Sequence, residues 1–186
     1  MKKTVLTFGL ISGAILATVM FATMPFVDKI GVNRGEIIGY TTMILAFMLV
    51  FFGIRSYREN VSDGHITFGR AFAVGILITL VASACYVVAW EIIYFKFMPD
   101  FADKYASYMI EKVKASGAGQ QVIDAKLQQM KSFKAMYNNP FINAAISFTE
   151  PFPVGLIVTL ISSAILRRKS ADAVTGERRP AQLQTQ

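Results

Sequence analysis

Apolar residues run almost unbroken through four stretches of the chain, at about 5–24, 37–54, 72–97 and 141–166. Each is close to or above the ~20 residues that a helix needs to cross a bilayer. No alternation with a period of two runs through them, which argues against a membrane barrel. The pattern predicts an all-α integral membrane four-helix bundle over residues 1–169. The first stretch follows Lys2 and Lys3, as a signal peptide would. Its ~20 apolar residues exceed the ~7–15 of a signal core, and no clear A-x-A site follows, so a retained helix is expected.

Between the third and fourth stretches the pattern changes. Phe101, Tyr105, Tyr108, Met109 and Val113 recur at helical spacing behind Pro99 and Asp100, the latter suited to cap a helix. SGAG, Ser116 to Gly119, interrupts them. Ile123, Leu127, Met130, Phe133 and Tyr137 then form a second stripe that Asn138-Asn139-Pro140 ends. An extramembrane helical hairpin is expected over about 100–137, between spans 3 and 4. Apolar stripes mean packing, so a plain cap on the bundle is the simple reading; a lid or a partner-docking surface is the functional one. Residues 170–186 lack apolar periodicity and are expected to form a disordered cytoplasmic tail.

Three stretches carry small residues every fourth position, so that each set falls on one helix face. They are Gly9, Gly13 and Ala17; Ala71, Gly75, Thr79 and Ser83; and Gly155, Thr159 and Ser163. Lipid gives little hydrophobic drive for helices to associate, so such faces bring backbones close. They serve either packing within the chain or a homo-oligomer or membrane-protein partner. Gly31, Gly35 and Gly39 share the spacing, but no nucleotide loop surrounds them. Gly31 and Gly35 are expected in the connection into the second span.

Composition agrees with the pattern: 54% of the 186 residues are hydrophobic and the mean hydropathy is +0.46. Ordinary soluble domains hold about 45–50%. The net charge of +7 does not point to nucleic acid, because the basic residues flank apolar runs. Lys2 and Lys3, then Arg55, Arg58 and Arg70, then Arg167, Arg168 and Lys169 all fall on one side if the spans alternate. That side should be cytoplasmic, with both termini inside. The opposing short loop has only Lys29 and Arg34, offset by Asp28 and Glu36. Cys85 is the single cysteine and His65 the single histidine, so neither a disulfide nor a multi-histidine metal cluster is available. No metal, no cofactor and no enzymatic constellation is expected.

Two carboxylates lie inside spans, Glu91 and Glu150, and such groups are functional candidates by default. From the helical rise they sit roughly 10 Å and roughly 14 Å below the same side of the membrane. Both are then close enough in depth to meet and share a proton, as a proton-coupled carrier needs. In the structural alternative, Tyr86, Tyr94, Trp90 or Asn143 hydrogen-bond them, or Lys29 and Arg34 reach down to them. Pro151 and Pro153 cannot donate backbone bonds, so the fourth span should kink or break beside Glu150. Broken helices beside a carboxylate build ion sites in transporters.

Several passages together resemble a known family. FFGIRSYREN (Phe51–Asn60), ITFGRAFAVG (Ile66–Gly75), the passage from WEIIYF to PDF (Trp90–Phe101), YNNPFIN (Tyr137–Asn143) and PVGLIVTLISSAILRRK (Pro153–Lys169) are similar to domain-of-unknown-function family 4199. The likeness covers about residues 1–169. It implies a small four-span bacterial protein of the inner membrane, and it implies no activity and no role for Glu91 or Glu150. From residues and resemblance together, the expected function is non-catalytic, by association with itself or with a partner in the lipid bilayer. The alternative is a small ion- or proton-coupled carrier or channel that uses Glu91 and Glu150.

Overall fold

Residues placed in lipid must satisfy their backbone internally, and the four apolar stretches do so as helices. The computed structural model describes residues 1–168, apart from the side chains of Asp28 and Val32. The tail expected to be disordered, 170–186, lies outside the described residues. The spans are Lys2–Phe26, Asn33–Val61, Phe68–Phe97 and Pro140–Leu166. They outrun the apolar stretches because helix hydrogen bonding continues into the polar ends. Gly35 therefore lies inside the second span and not in the connection before it; Gly31, with φ of 81°, marks the turn itself.

Side chains cap the starts of two spans, while the cap expected of Asp100 does not form. Thr67 accepts a hydrogen bond from the Arg70 amide at 3.3 Å and so caps the third span. Asn139 accepts from the amides of Phe141 and Ile142, which starts the fourth. Asp100 stands at the start of the first hairpin helix, but its carboxylate turns to Lys104 at 3.2 Å and makes no cap bond. Ion pairing with a lysine one turn on competes with capping for the same oxygens. The hairpin helices are Phe101–Ala115 and Gln120–Tyr137, broken at SGAG where Gly117 adopts φ of 74°.

Around the bundle the order is span 1, span 2, span 4, span 3, with spans 2 and 3 also meeting across one diagonal. The small-residue faces are consumed inside this arrangement. A Cβ on Gly9 would lie 2.7 Å from Val81 Cβ, and one on Gly13 2.5 Å from Cys85 Cβ. A Cβ on Gly75 would meet Thr159 Cγ2 at 2.7 Å, and one on Gly155 would meet Thr79 Cγ2 at 2.4 Å. Thr79 and Thr159 hydroxyls lie 3.1 Å apart, and Ser163 donates to the Thr159 carbonyl. Ala17 packs beside Met20 near the hairpin end, and Ser83 is fully buried. Gly53 does the same work unannounced: its Cβ would meet Ile78 Cδ1 at 2.5 Å.

The outer surface is the reverse of a soluble bundle. Ile44, Leu45, Met48, Phe52, Val88, Ile157, Ile161 and Ile165 are exposed along the spans. A contiguous apolar belt of that kind needs lipid to cover it, and this is a multi-pass membrane protein. At the end that holds Met1, the loop after span 2 is tied to the end of span 4. Ile66 and Arg168 exchange backbone hydrogen bonds, and Arg58 donates to the Leu166 carbonyl at 3.3 Å.

Candidate functional site

The fourth span is two helices. Its first half ends at Phe148 and its second begins at Pro151. Between them the amides of Thr149 and Glu150 bond three residues back, to Ile146 and Ser147, and the helix register changes there. Pro151 occupies the first helical position, where its missing N–H costs nothing, and Pro153 follows within the first turn. The expected break beside Glu150 is therefore present. Its consequence is spatial: the first half leans on span 3 and the hairpin and hardly touches span 2.

A cavity of about 710 Å³ opens in the resulting gap. Span 2 contributes Gly35, Glu36, Gly39, Tyr40 and Met43 to its wall, and the turn before it contributes Gly31. Span 3 contributes Tyr86 and Trp90, span 4 Ile146 and Glu150, and the hairpin roofs it with Phe101, Lys104, Tyr105, Tyr108, Phe133 and Tyr137. The glycines behave oppositely to those in the bundle core. A Cβ on Gly35 or Gly39 would meet nothing within 4 Å. They bare the helix backbone to the cavity instead of drawing a neighbour close.

The wall is organised by a polar network along one face of span 3. Tyr86, Trp90 and Tyr94 lie four residues apart, so they point the same way. Tyr86 Oη donates to Glu150 Oε2 at 2.6 Å. Trp90 Nε1 donates to Asn143 Oδ1 at 3.0 Å, and Tyr94 Oη donates to Asn138 Oδ1 at 2.8 Å. Asn143 is fully buried; its Nδ2 donates to the Tyr137 carbonyl at 3.0 Å and its Oδ1 accepts from Ser147 Oγ. The roof is fixed at its far side by Tyr108 Oη, which donates to Asn33 Oδ1 at 2.7 Å. Phe101 meets Trp90 edge-on, with ring centres 5.0 Å apart.

Glu91 is not among the residues that line this cavity. One residue beyond Trp90, it is rotated by about 100° from the Tyr86–Trp90–Tyr94 face. It is half-buried, its Oε1 is enclosed without a hydrogen-bond partner, and it makes no bond to Glu150. Among the described residues neither Lys29 nor Arg34 forms an ion pair with either glutamate. Of the sequence candidates, Tyr86 and Glu150 share the cavity wall, while Tyr94, Asn143, Pro151 and Pro153 shape it from behind.

Two roof tyrosines feel the cavity's charge. Burial, and then the carboxylates of Glu36 and Glu150, hold the Tyr105 phenol above its ordinary range. Burial also pushes the Tyr137 phenol up to about 12, with the Glu150 charge acting in the same direction. Gly35 and Glu36 were not legible as site residues, because the apolar pattern assigns them to a short loop; Gly39 and Tyr40 lie inside the second apolar stretch, where hydropathy does not tell a cavity-lining face from a packed one. The signal that marks them is the four-residue spacing of Gly31, Gly35 and Gly39, with Glu36 and Tyr40 each next to a glycine.

A family model described as "Protein of unknown function (DUF4199)" matches residues 7–168, which takes in most of the first span, the other three spans, the hairpin and every residue of the cavity wall. The chain belongs to that family. No curated protein and no solved structure matches it.

Proposed function

We propose that this chain is a non-catalytic membrane protein that binds a small ligand in the cavity beneath its hairpin. The observation that carries the reading is the cavity itself: about 710 Å³, lined by rings and by a few convergent polar groups, at the point where the fourth span breaks. Ligand sites have this size and this mixture, and they occur between the helices of bundles. Self-association through the small-residue faces is the weaker reading, because those faces already pack against one another within the chain. A through-going channel is also weaker. Below the cavity Phe47, Val50, Ile54, Ile78, Thr79 and Thr159 are fully buried, which makes the cavity a closed-ended recess.

The test uses Trp90, the single tryptophan, which lines the cavity and reports on its contents. Purified protein in lipid nanodiscs is titrated with a broad panel of small molecules. At least one should shift Trp90 emission saturably in the wild type. Gly39→Leu, which fills the cavity from its open face, should abolish the shift while leaving the fold intact. A panel that moves neither protein, or moves both alike, removes the reading.

The reading places the hairpin on the external face of a bacterial inner membrane, since Lys2, Lys3, Arg55, Arg58 and Arg70 gather at the opposite end. With an impermeant maleimide on intact cells, Ser116→Cys at the hairpin tip should label, and Ser170→Cys should label only after lysis. The reverse pattern would invert the topology and put the cavity on the cytoplasmic side.

A further inference from the structure

We infer that the ligand of this cavity is a small organic cation, an ammonium-bearing molecule held between aromatic faces and the carboxylates of Glu36 and Glu150. The inference rests on the ligand-binding reading above and adds the chemical class. Four observations support it.

The first is the balance of charge. Among the described residues Glu36 and Glu150 both line the wall, against a single cationic group there, Lys104. Lys104 Nζ lies 3.2 Å from Asp100 Oδ2, so its charge is already met by a carboxylate outside the wall. Glu36 makes no ion pair within 4 Å among the described residues. Glu150 engages one neutral donor, the Tyr86 phenol, which orients the carboxylate without cancelling its charge.

The second is the nature of the rings. Tyr40, Tyr86, Trp90, Phe101, Tyr105 and Tyr137 surround the same space. Ring faces attract cations and repel anions, and the attraction grows where water is thinned out, as it is at the bilayer boundary. An anion would meet two carboxylates among these rings. A purely apolar ligand would strip water from those carboxylates with nothing in return. A cation is the class that both features favour.

The third is the field inside. The Tyr105 phenol is harder to ionise partly because Glu36 and Glu150 lie near it, and that same negative potential draws a cation in. The fourth is access to the backbone. Gly35 and Gly39 flank Glu36 with no side chain, and a Cβ on either would meet nothing within 4 Å, so the body of a ligand can lie flat against span 2 beside the carboxylate.

The probes are choline, its neutral carbon isostere 3,3-dimethylbutan-1-ol, and the anion 2-hydroxyethanesulfonate. Trp90 emission is read in nanodiscs at fixed ionic strength. Choline should half-saturate at a concentration at least roughly tenfold below that of the neutral isostere, and the anion should give no saturable response. Glu36→Gln and Glu150→Gln together should bring choline and its isostere to within about twofold of each other. Gly39→Leu, which leaves both carboxylates in place, should remove the response to choline. Equal responses to choline and the isostere in the wild type, both lost in Gly39→Leu, would overturn the cation assignment and leave the binding reading standing. No response to choline also overturns the cation assignment; the binding reading falls only if the wider panel is silent too.

Discussion

Gly155→Leu should prevent the bundle from holding together. The Cβ alone would sit 2.4 Å from Thr79 Cγ2 and 2.8 Å from Phe47 Cε1, so spans 2, 3 and 4 all have to give way at once. Real Cβ atoms do not approach that closely, and Phe47 and Thr79 are fully buried, with no free space to move into. Overpacking a tight core costs ~1–3 kcal/mol and occasionally more. The change also parts Thr79 Oγ1 from the Gly155 carbonyl, a 3.3 Å hydrogen bond across the helix pair. Against this stands the better helix propensity of leucine, worth at most ~1 kcal/mol. Overpacking wins, and the midpoint of an SDS-titration unfolding curve should fall sharply. Gly39→Leu is the matched control: the same substitution in a span interior, where the added Cβ meets nothing, should be neutral or mildly stabilising. Gly155→Ala should be partly rescued by Thr79→Ser, which deletes the methyl group nearest to the new Cβ. A Gly155→Leu protein as stable as the wild type would mean that the three spans do not meet as described.

That contrast also measures what the sequence could and could not say. The small-residue ladders of spans 1, 3 and 4 were visible because a four-residue spacing on an apolar background has few other uses. Gly53 was invisible, since it stands alone among large residues and only the neighbouring Phe8 and Ile78 reveal what it does. Gly31, Gly35 and Gly39 carry the same spacing as the ladders, yet they face a void. Spacing reports which face of a helix is small; it does not report whether another helix fills the space. That depends on where the fourth span leans, which the two prolines foretold only as a break.

The two glutamates show the same limit from the side of chemistry. Depth along each span was computable from the helical rise, and it put Glu91 and Glu150 near one side of the membrane. Rotation about the helix axis decides the rest. Tyr86, Trp90 and Tyr94 take the face that meets span 4, so Glu91 is turned aside with an oxygen enclosed and unpartnered. The partner that Glu150 acquires near the cavity comes instead from the segment read as a loop, in which Glu36 belongs to the first turns of span 2. Charged residues at a helix start look like loop residues when hydropathy alone draws the boundary.

Asn143→Leu should detach the hairpin from the bundle without dissolving the core beneath it. Leucine has a similar volume but can neither accept nor donate. Trp90 Nε1 would lose its acceptor and the Tyr137 carbonyl its side-chain donor, both in a fully enclosed setting, and Ser147 Oγ would lose a third bond. A buried polar group left unpaired costs ~1–3 kcal/mol, so about 2–4 kcal/mol is expected in all. The loss falls on one region, because Asn143 joins span 3, the last turn of the hairpin and the first half of span 4. The core around Phe47, Val50 and Ile78 is a separate cluster that meets this region through Tyr86 and not through Asn143. Hydrogen exchange should therefore rise across Phe101–Tyr137 and Pro140–Phe148, while Asn33–Val61 keeps its protection near the Met1 end. Trp90 emission should shift as its indole N–H is freed. The coupling is tested in the Trp90→Phe background, where part of the penalty has already been incurred and Asn143→Leu should cost at least ~0.5 kcal/mol less. Strictly additive losses would show that the indole and the amide do not act together, and that the roof is held by its other contacts, such as Tyr108 to Asn33 and Tyr94 to Asn138.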